Sequence, residues 1–335
     1  MKVGIAGASG YTGAELLRLC ARHPELDVAW ASGDSQAGAV VGDLYPSLAA
    51  AYPGLSYSEL DPADADGLDL VFLALPHGAS QALVPELSKR VGAIVDLSSD
   101  FRLRDPSLYA TWYGAEHTAS ELLATAVYGL PELTRDQLPG AALVACAGCY
   151  VTAAALALEP LVRAGAIQTV GVIVDGASGV SGAGAKLARS TQFATVDSDF
   201  VAYGLLDHRH TPEMEQVIGA VVLFTPHLAP MTRGILVTCY ARPTPGFPDP
   251  LEVLAEAWKD EPFVVVSQRS PSTKATLGSN AAHLTARLDA RTGWVVVLCA
   301  LDNLVKGASG QAVQCANVVL GLPEVTGLTD AGLWP

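Results

Sequence analysis

Apolar residues at 3–6 end in a glycine-rich turn at 7–13, an amphipathic stretch follows at 14–22, and a second apolar run occupies 27–32. A short apolar run closed by glycines predicts a buried strand, and apolar positions three and four apart predict a helix. The opening therefore predicts strand, turn, helix and strand, a parallel βαβ unit. Largely apolar runs at 68–75, 93–97 and 142–146 predict more buried strands, with helices at 79–90 and 150–163 between or after them. Beyond residue 165 the texture changes. Longer β-rich stretches at 169–175, 221–225, 234–241, 263–266 and 294–301 have fewer helices between them, which predicts a second α+β domain with a mixed or antiparallel sheet. The tail at 309–320 predicts one more helix, able to return to the first domain, and a proline-rich turn lies at 243–250.

Composition supports two packed domains. With 335 residues, half of them hydrophobic and 16% charged, the chain can bury a large core. A net charge of −14 argues against nucleic acid or anionic lipid as the main partner, because both would be repelled. The 20 Lys and Arg residues can still hold a small anion. The first strand begins almost at Met1 with no basic leader before it, which predicts a cytoplasmic protein. Residues 141–158 carry no charge and approach the length of a membrane span. Gly148 sits in the middle of that stretch, where a strand can turn into a helix, so a soluble fold without membrane contact is expected. Six cysteines in a chain this long fit a reducing compartment better than a disulfide framework.

Gly7, Gly10 and Gly13 fall where the first strand ends and the first helix begins. Glycines at that junction let a pyrophosphate approach backbone N–H groups at a helix start, so the turn predicts a dinucleotide site in a Rossmann-type doubly wound sheet. The end of the second strand decides between NAD and NADP. Ser32 and Ser35 could hydrogen-bond a 2′-phosphate there, with Asp34 pointing away, which leans to NADP.

Cys149 follows Gly148 at the predicted start of a helix, where dipole and amides stabilise a thiolate nucleophile. Residues alone leave three other readings open: a buried structural thiol, as expected for Cys20, Cys239, Cys299 and Cys315; a redox pair with Cys146; and half of a zinc site. His208, Arg209, His210 and Glu213 lie within six positions. Thioester chemistry needs an imidazole to move protons and a carboxylate to orient it, and this segment supplies both. His23, His117 and His283 are expected to be ordinary core or surface histidines.

Ordered motifs then add a resemblance that runs nearly the whole chain. GASGYTGAELLRL at 7–19, LALPHG at 73–78, SSDFRL at 98–103, YGLPEL at 128–133, GCYVTAA at 148–154, SGVSGAG at 178–184, HRHTPE at 208–213, FTPHLAPMTRGI at 224–235, GSNAAH at 278–283 and DNLVKGASGQAVQ at 302–314 resemble the N-acetyl-gamma-glutamyl-phosphate reductases of arginine biosynthesis, relatives of aspartate-semialdehyde dehydrogenase. The resemblance implies NADPH-dependent reduction of N-acetyl-L-glutamyl 5-phosphate to N-acetyl-L-glutamate 5-semialdehyde and phosphate, through a thioester on Cys149. It implies His210 as acid/base with His208 and Glu213 nearby, and Arg102, Ser181 and Arg233 around the anionic substrate. For the cofactor it implies Gly7, Ser9, Gly10, Tyr11, Thr12, Gly13, Ser32, Ser35, Ser178, Gly179, Asn303 and Lys306. It further implies an NADP domain over 1–148 completed by a C-terminal helix at 305–335, a catalytic and dimerisation domain over 149–304, and a homodimer or homotetramer. Aspartyl phosphate and a carrier-linked aminoadipyl or glutamyl phosphate remain alternative substrates, and a non-catalytic nucleotide-binding regulator is the alternative from another class. One departure stands at the thiol turn: Ala147 replaces a proline common in the family, so the fixed φ of the approach is lost.

Overall fold

The structure is a computed structural model that describes residues 1–247 and 249–335, so Pro248 of the 243–250 turn lies outside the described residues. It divides into two compact units. One contains Met1–Ala147 and Ala308–Leu328, the other Gly148–Gly307 and Thr329–Pro335.

In the first unit, β1 (Lys2–Ala6), β2 (Asp27–Ala31), β3 (Leu70–Leu73), β4 (Ala93–Asp96), β5 (Val127–Gly129) and β6 (Leu143–Cys146) form one sheet in the order β2-β1-β3-β4-β6-β5. Every pair is parallel. β3, β4 and β6 are buried at every position, as expected of strands covered on both faces. Strand order reverses between β1 and β3, and the carboxyl end of β1 is the glycine turn. That is where an open α/β sheet leaves a crevice for a ligand. The following helix spans Tyr11–Cys20, starting three residues before the expected 14–22 because Gly13 is itself packed in its first turn. Leu16, Leu17 and Leu19 bury its inner side against Val3, Ile5 and Leu70.

In the second unit, β7 (Val172–Gly179), β8 (Val201–Ala202), β9 (Val222–Ala229), β10 (Ile235–Ala241), β11 (Val264–Val266), β12 (Ala282–Asp289) and β13 (Trp294–Leu301) form a mixed sheet in the order β11-β12-β13-β10-β7-β9-β8. The α+β expectation holds. Burial alternates along β7 and β10, so one face packs on a core and the other stays open. The Cys149–Arg163 helix packs on β10 and β13, and the Trp258 indole N–H donates to Leu156 O (3.0 Å). The apolar stretch at 141–158 is thus shared between β6 and this helix. Among the described residues no helix is long and apolar enough to cross a membrane.

The C-terminal region departs from a single helix over 305–335. A π-turn at Val305–Ser309 leads into a helix at Gly310–Val319, which stops just before Gly321 adopts φ +71° and Pro323 follows. Residues 329–335 then belong to the second unit, where Asn280 N–H donates to Thr329 O (2.7 Å) and Leu333 N–H to Leu277 O (2.7 Å).

Candidate active site

The glycine turn of the first unit is built by exclusion. Gly7 has φ +80°, and a Cβ there would sit 2.4 Å from Ala74 O. A Cβ on Gly13 would lie 2.4 Å from Gly7 O and 2.5 Å from Ala8 Cα. Gly10 differs, since its Cβ would meet nothing closer than Gly7 O at 3.6 Å. Two of the glycines let the chain pack on itself, and the third leaves the outer side of the turn open. Gly10 caps the Tyr11–Cys20 helix with no side-chain hydrogen bond and no acid follows in the first turn, so its amides suit an anion. That cradle fits a dinucleotide pyrophosphate.

Ser32 is buried, and its hydroxyl accepts the Gly7 N–H (3.2 Å), while the Ser9 hydroxyl donates to Gly33 O (3.0 Å). Ser32 and Ser9 therefore tie the turn to the end of β2. Ser35 and Asp34 are exposed, and Asp34 holds φ +43°. Tyr11 is exposed, and Thr12 O accepts the Ser309 hydroxyl (2.8 Å).

The thiol turn of the second unit is built by crowding. Cys149 is the first residue of its helix and is half-buried. A Cβ on Gly148 would lie 2.5 Å from His210 Nε2, so the imidazole occupies the space a side chain would need beside the thiol. Behind it, a Cβ on Gly307 would lie 2.8 Å from Cys149 Cβ. Glu213 is fully buried, and its Oε1 accepts the Gly148 N–H at 2.9 Å. His210 and Glu213 share the His210–Ile218 helix, one turn apart, so that helix places imidazole and carboxylate on the two sides of Gly148.

His208 Nδ1 accepts the His210 N–H (3.1 Å), which puts the proton of the neutral ring on Nε2. Burial, with the Arg209 charge adding to it, pushes His208 down to about 4, so it is neutral at physiological pH. Its ring stands edge-on to His210 at 4.8 Å and Phe224 at 5.2 Å. Tyr150, which sequence reasoning did not single out, forms the floor of this group. It is buried, donates to His227 O (2.9 Å), and packs edge-on against His208 and His210. Gly176 leaves room for it, since a Cβ there would lie 2.5 Å from Tyr150 Cε1.

A second cluster in the same unit collects the expected anion and cofactor residues that lie beyond the first unit. Gly179 packs on the backbone of Arg233 at 2.8 Å from its missing Cβ, and Ser181 N–H donates to Thr232 O (3.1 Å). The Asn303 amide donates to Ser181 Oγ (3.0 Å) and accepts the Gly234 N–H (2.7 Å). Ser178 is buried and donates to Gly179 O (3.0 Å). Lys306 is fully buried, and its charge acts on the Cys299 thiol, pulling down a pKa that burial pushes up.

Arg102 belongs to the first unit, where it is buried and donates to Leu97 O (2.8 Å). Cys20, Cys239, Cys299 and Cys315 are buried, as is Cys146, and all six cysteines are thiols. His23 bonds Asn317 Oδ1 (2.9 Å) and His117 bonds Asp100 O (2.7 Å), both as packing groups of the first unit. Among the described residues no three His, Cys, Asp or Glu side chains gather as a metal site. The glycine contacts at 148, 176 and 307 were missed because spacing along the chain says nothing about which distant side chain fills the gap.

Comparison with known proteins follows the same division. The semialdehyde dehydrogenase NAD binding domain family matches residues 2–141, and the semialdehyde dehydrogenase dimerisation domain family matches residues 149–303. The chain is 47% identical to the N-acetyl-gamma-glutamyl-phosphate reductase of Desulforudis audaxviator, with 100% of both chains covered. It is also 47% identical to that of Pelotomaculum thermopropionicum, with 100% of this chain and 99% of the relative covered. Among solved structures, aspartate semialdehyde dehydrogenase II of Vibrio cholerae, complexed with ASA, superposes with a TM-score of 0.70 at 16% identity over 96% of this chain and 98% of that one. The Candida albicans aspartate semialdehyde dehydrogenase with NADP gives 0.69 at 15% identity over 95% and 97%. Those two likenesses speak for the fold. Identity near one residue in two along the entire length speaks for more, and it places this chain in the N-acetyl-gamma-glutamyl-phosphate reductase family of oxidoreductases.

Proposed function

We propose that this protein reduces N-acetyl-L-glutamyl 5-phosphate to N-acetyl-L-glutamate 5-semialdehyde in arginine biosynthesis, with Cys149 as the acyl carrier. The observation that carries the reading is the His210 imidazole lying in the space of the absent Gly148 side chain, beside a thiol at a helix start. The Cys149 thiolate attacks the acyl carbon, a C–S bond forms, and the C–O bond to phosphate breaks. The helix amides following Gly148 face the charge that develops on the acyl oxygen. NADPH, when bound, supplies the hydride that reduces the thioester. His210 protonates the resulting oxyanion and takes the proton back as the C–S bond breaks, which releases the aldehyde and returns the thiolate. His208 holds the His210 backbone, and Glu213 fixes Gly148, so the thiol and imidazole keep their register although Ala147 lacks the φ restraint of proline.

The residues proposed to hold NADP are Gly7, Ser9, Gly10, Tyr11, Thr12 and Gly13 at the pyrophosphate, with Ser35 exposed beyond β2 for the 2′-phosphate and Ser32 fixing the turn. Arg233, Ser181 and Arg102 are proposed for the substrate's anionic groups. Self-association is proposed through the open face of the second sheet, where Ile173, Leu223, Tyr240, Trp294, Val296 and Leu298 stay partly exposed. A reducing, cytoplasmic setting is consistent with six thiols. The test is Cys149→Ala, expected to abolish turnover of N-acetylglutamate semialdehyde with NADP and phosphate while NADPH still binds. Retained turnover, or preference of the wild type for aspartate semialdehyde, overturns the reading.

A further inference from the structure

Asp302 has no role in the chemistry above, yet it is a fully buried carboxylate at the meeting point of the second unit's two clusters. Oδ1 accepts the amides of Leu304 (2.9 Å) and Val305 (3.2 Å), and Oδ2 accepts that of Gly278 (2.8 Å). The same Oδ2 lies 3.7 Å from Arg233 Nη1, an ion-pair distance longer than a hydrogen bond, so charge rather than a shared proton joins them. Its backbone carbonyl accepts the Gly307 N–H (2.9 Å), and Gly307 is the residue backed against Cys149. One residue therefore fixes both the wall behind the nucleophile and the charge environment of the anion anchor. Asn303 completes the arrangement from the other side by accepting the amide of Gly234, the neighbour of Arg233 (2.7 Å).

We infer that Asp302 and Asn303 form a clamp of positioning residues that holds the Arg233 guanidinium in register with Cys149, and so sets recognition of the substrate's anionic group. A buried carboxylate bound by three amides cannot swing, which makes it a fixed reference for a flexible arginine. The Asn303 amide engages Ser181 through Nδ2 and the Gly234 N–H through Oδ1, and the second contact ties it to the backbone beside Arg233.

The inference rests on the proposed reaction, and the test separates the two. Asp302→Asn, Asn303→Ala and Arg233→Ala are made singly and as the two doubles with Arg233→Ala, and assayed with N-acetylglutamate semialdehyde, NADP and phosphate. Each single variant is expected to raise the semialdehyde KM about tenfold or more, the scale for loosening a guanidinium–carboxylate contact. In Asp302→Asn and Arg233→Ala the NADP KM and the rate of Cys149 alkylation by iodoacetamide stay within about twofold, because neither depends on the Arg233 guanidinium. Each double variant is expected to be no worse than its poorer single, since both partners act through one guanidinium. Multiplying effects in the doubles, or an NADP KM that rises with the semialdehyde KM in Asp302→Asn or Arg233→Ala, overturns the clamp while leaving the reaction standing. Should Asp302→Asn not fold, the Asn303 double decides by whether its semialdehyde KM exceeds that of its poorer single. A wild type without semialdehyde turnover overturns the reaction and the clamp together.

Discussion

The two glycine-lined turns make their sites in opposite ways. At 7–13 the missing side chains free backbone amides, and the ligand group is the main chain itself. At 148, 176 and 307 the missing side chains make room for other side chains: His210 beside Gly148, Tyr150 against Gly176, Cys149 against Gly307. The first arrangement is main chain on main chain, Gly13 within the turn and Gly7 on Ala74 O just past β3, and only the spacing of its own glycines is local. The second draws on residues tens to more than a hundred positions apart. A local site tolerates drift in the surrounding sequence as long as its spacing is kept, whereas a crowded site depends on each distant partner arriving at the right depth.

This difference sets the sizes of the expected effects. Gly148→Ala breaks the crowded site most severely, because its Cβ would sit 2.5 Å from His210 Nε2 and the ring must move. Displacing the proposed acid/base by about 1 Å can cost about a hundredfold, so kcat/KM for the semialdehyde is expected to fall by that much with NADP affinity unchanged. Full activity in that variant would remove the distinction between the turns. Glu213→Ala leaves the Gly148 amide without its acceptor and is expected to cost about 1–3 kcal/mol of stability, most of it restored in Glu213→Gln, as read from urea unfolding midpoints.

The local site predicts a smaller and differently directed loss. Gly10→Ala has room for its Cβ on the protein side, so its melting temperature should match the wild type. The methyl group would stand where the pyrophosphate is proposed to approach, and NADP affinity measured by fluorescence titration is expected to drop about tenfold. Gly13→Ala is the control, since its Cβ meets backbone at 2.4 Å and should destabilise the fold as well. Equal melting temperatures for the two variants would contradict the division of labour among these glycines.

The smallest effect concerns pH. Asp96 is fully buried, and burial raises its carboxyl to about 6 despite hydrogen bonds from Ser80 and Ser98. A raised folded-state pKa means that the folded protein binds the proton more tightly than the unfolded chain. The stabilising contribution is therefore present below the unfolded value of 3.8 and is given up as pH rises through about 6. Asp96→Asn should flatten this part of the stability profile between pH 4 and 6.5, and an unchanged profile would assign it to other groups.

What the sequence made legible follows the same line. β1 and β13 fall where the apolar runs end, because a continuous or alternating run carries its own evidence. β12 escaped notice although it pairs along its whole length with β13, since Thr285 and Arg287 interrupt its apolar positions. The histidine cluster was visible from spacing, but its geometry was not. That His208 serves through its Nδ1 as an acceptor for the His210 backbone, and that Glu213 reaches the Gly148 amide, are tertiary facts. Asp302 was invisible for the same reason: its carboxylate matters through Gly278 and Arg233, and neither neighbours it in sequence.

The central claim is that Cys149 carries the acyl group. It is tested most directly by mixing the enzyme with N-acetylglutamate semialdehyde and NADP while withholding phosphate. Without phosphate the thioester has no acceptor, so a burst of NADPH approaching one per subunit is expected, with the acyl group found by mass spectrometry on the peptide that contains Cys149. Sustained turnover without phosphate and without an adduct, or an adduct on any other residue, would contradict it.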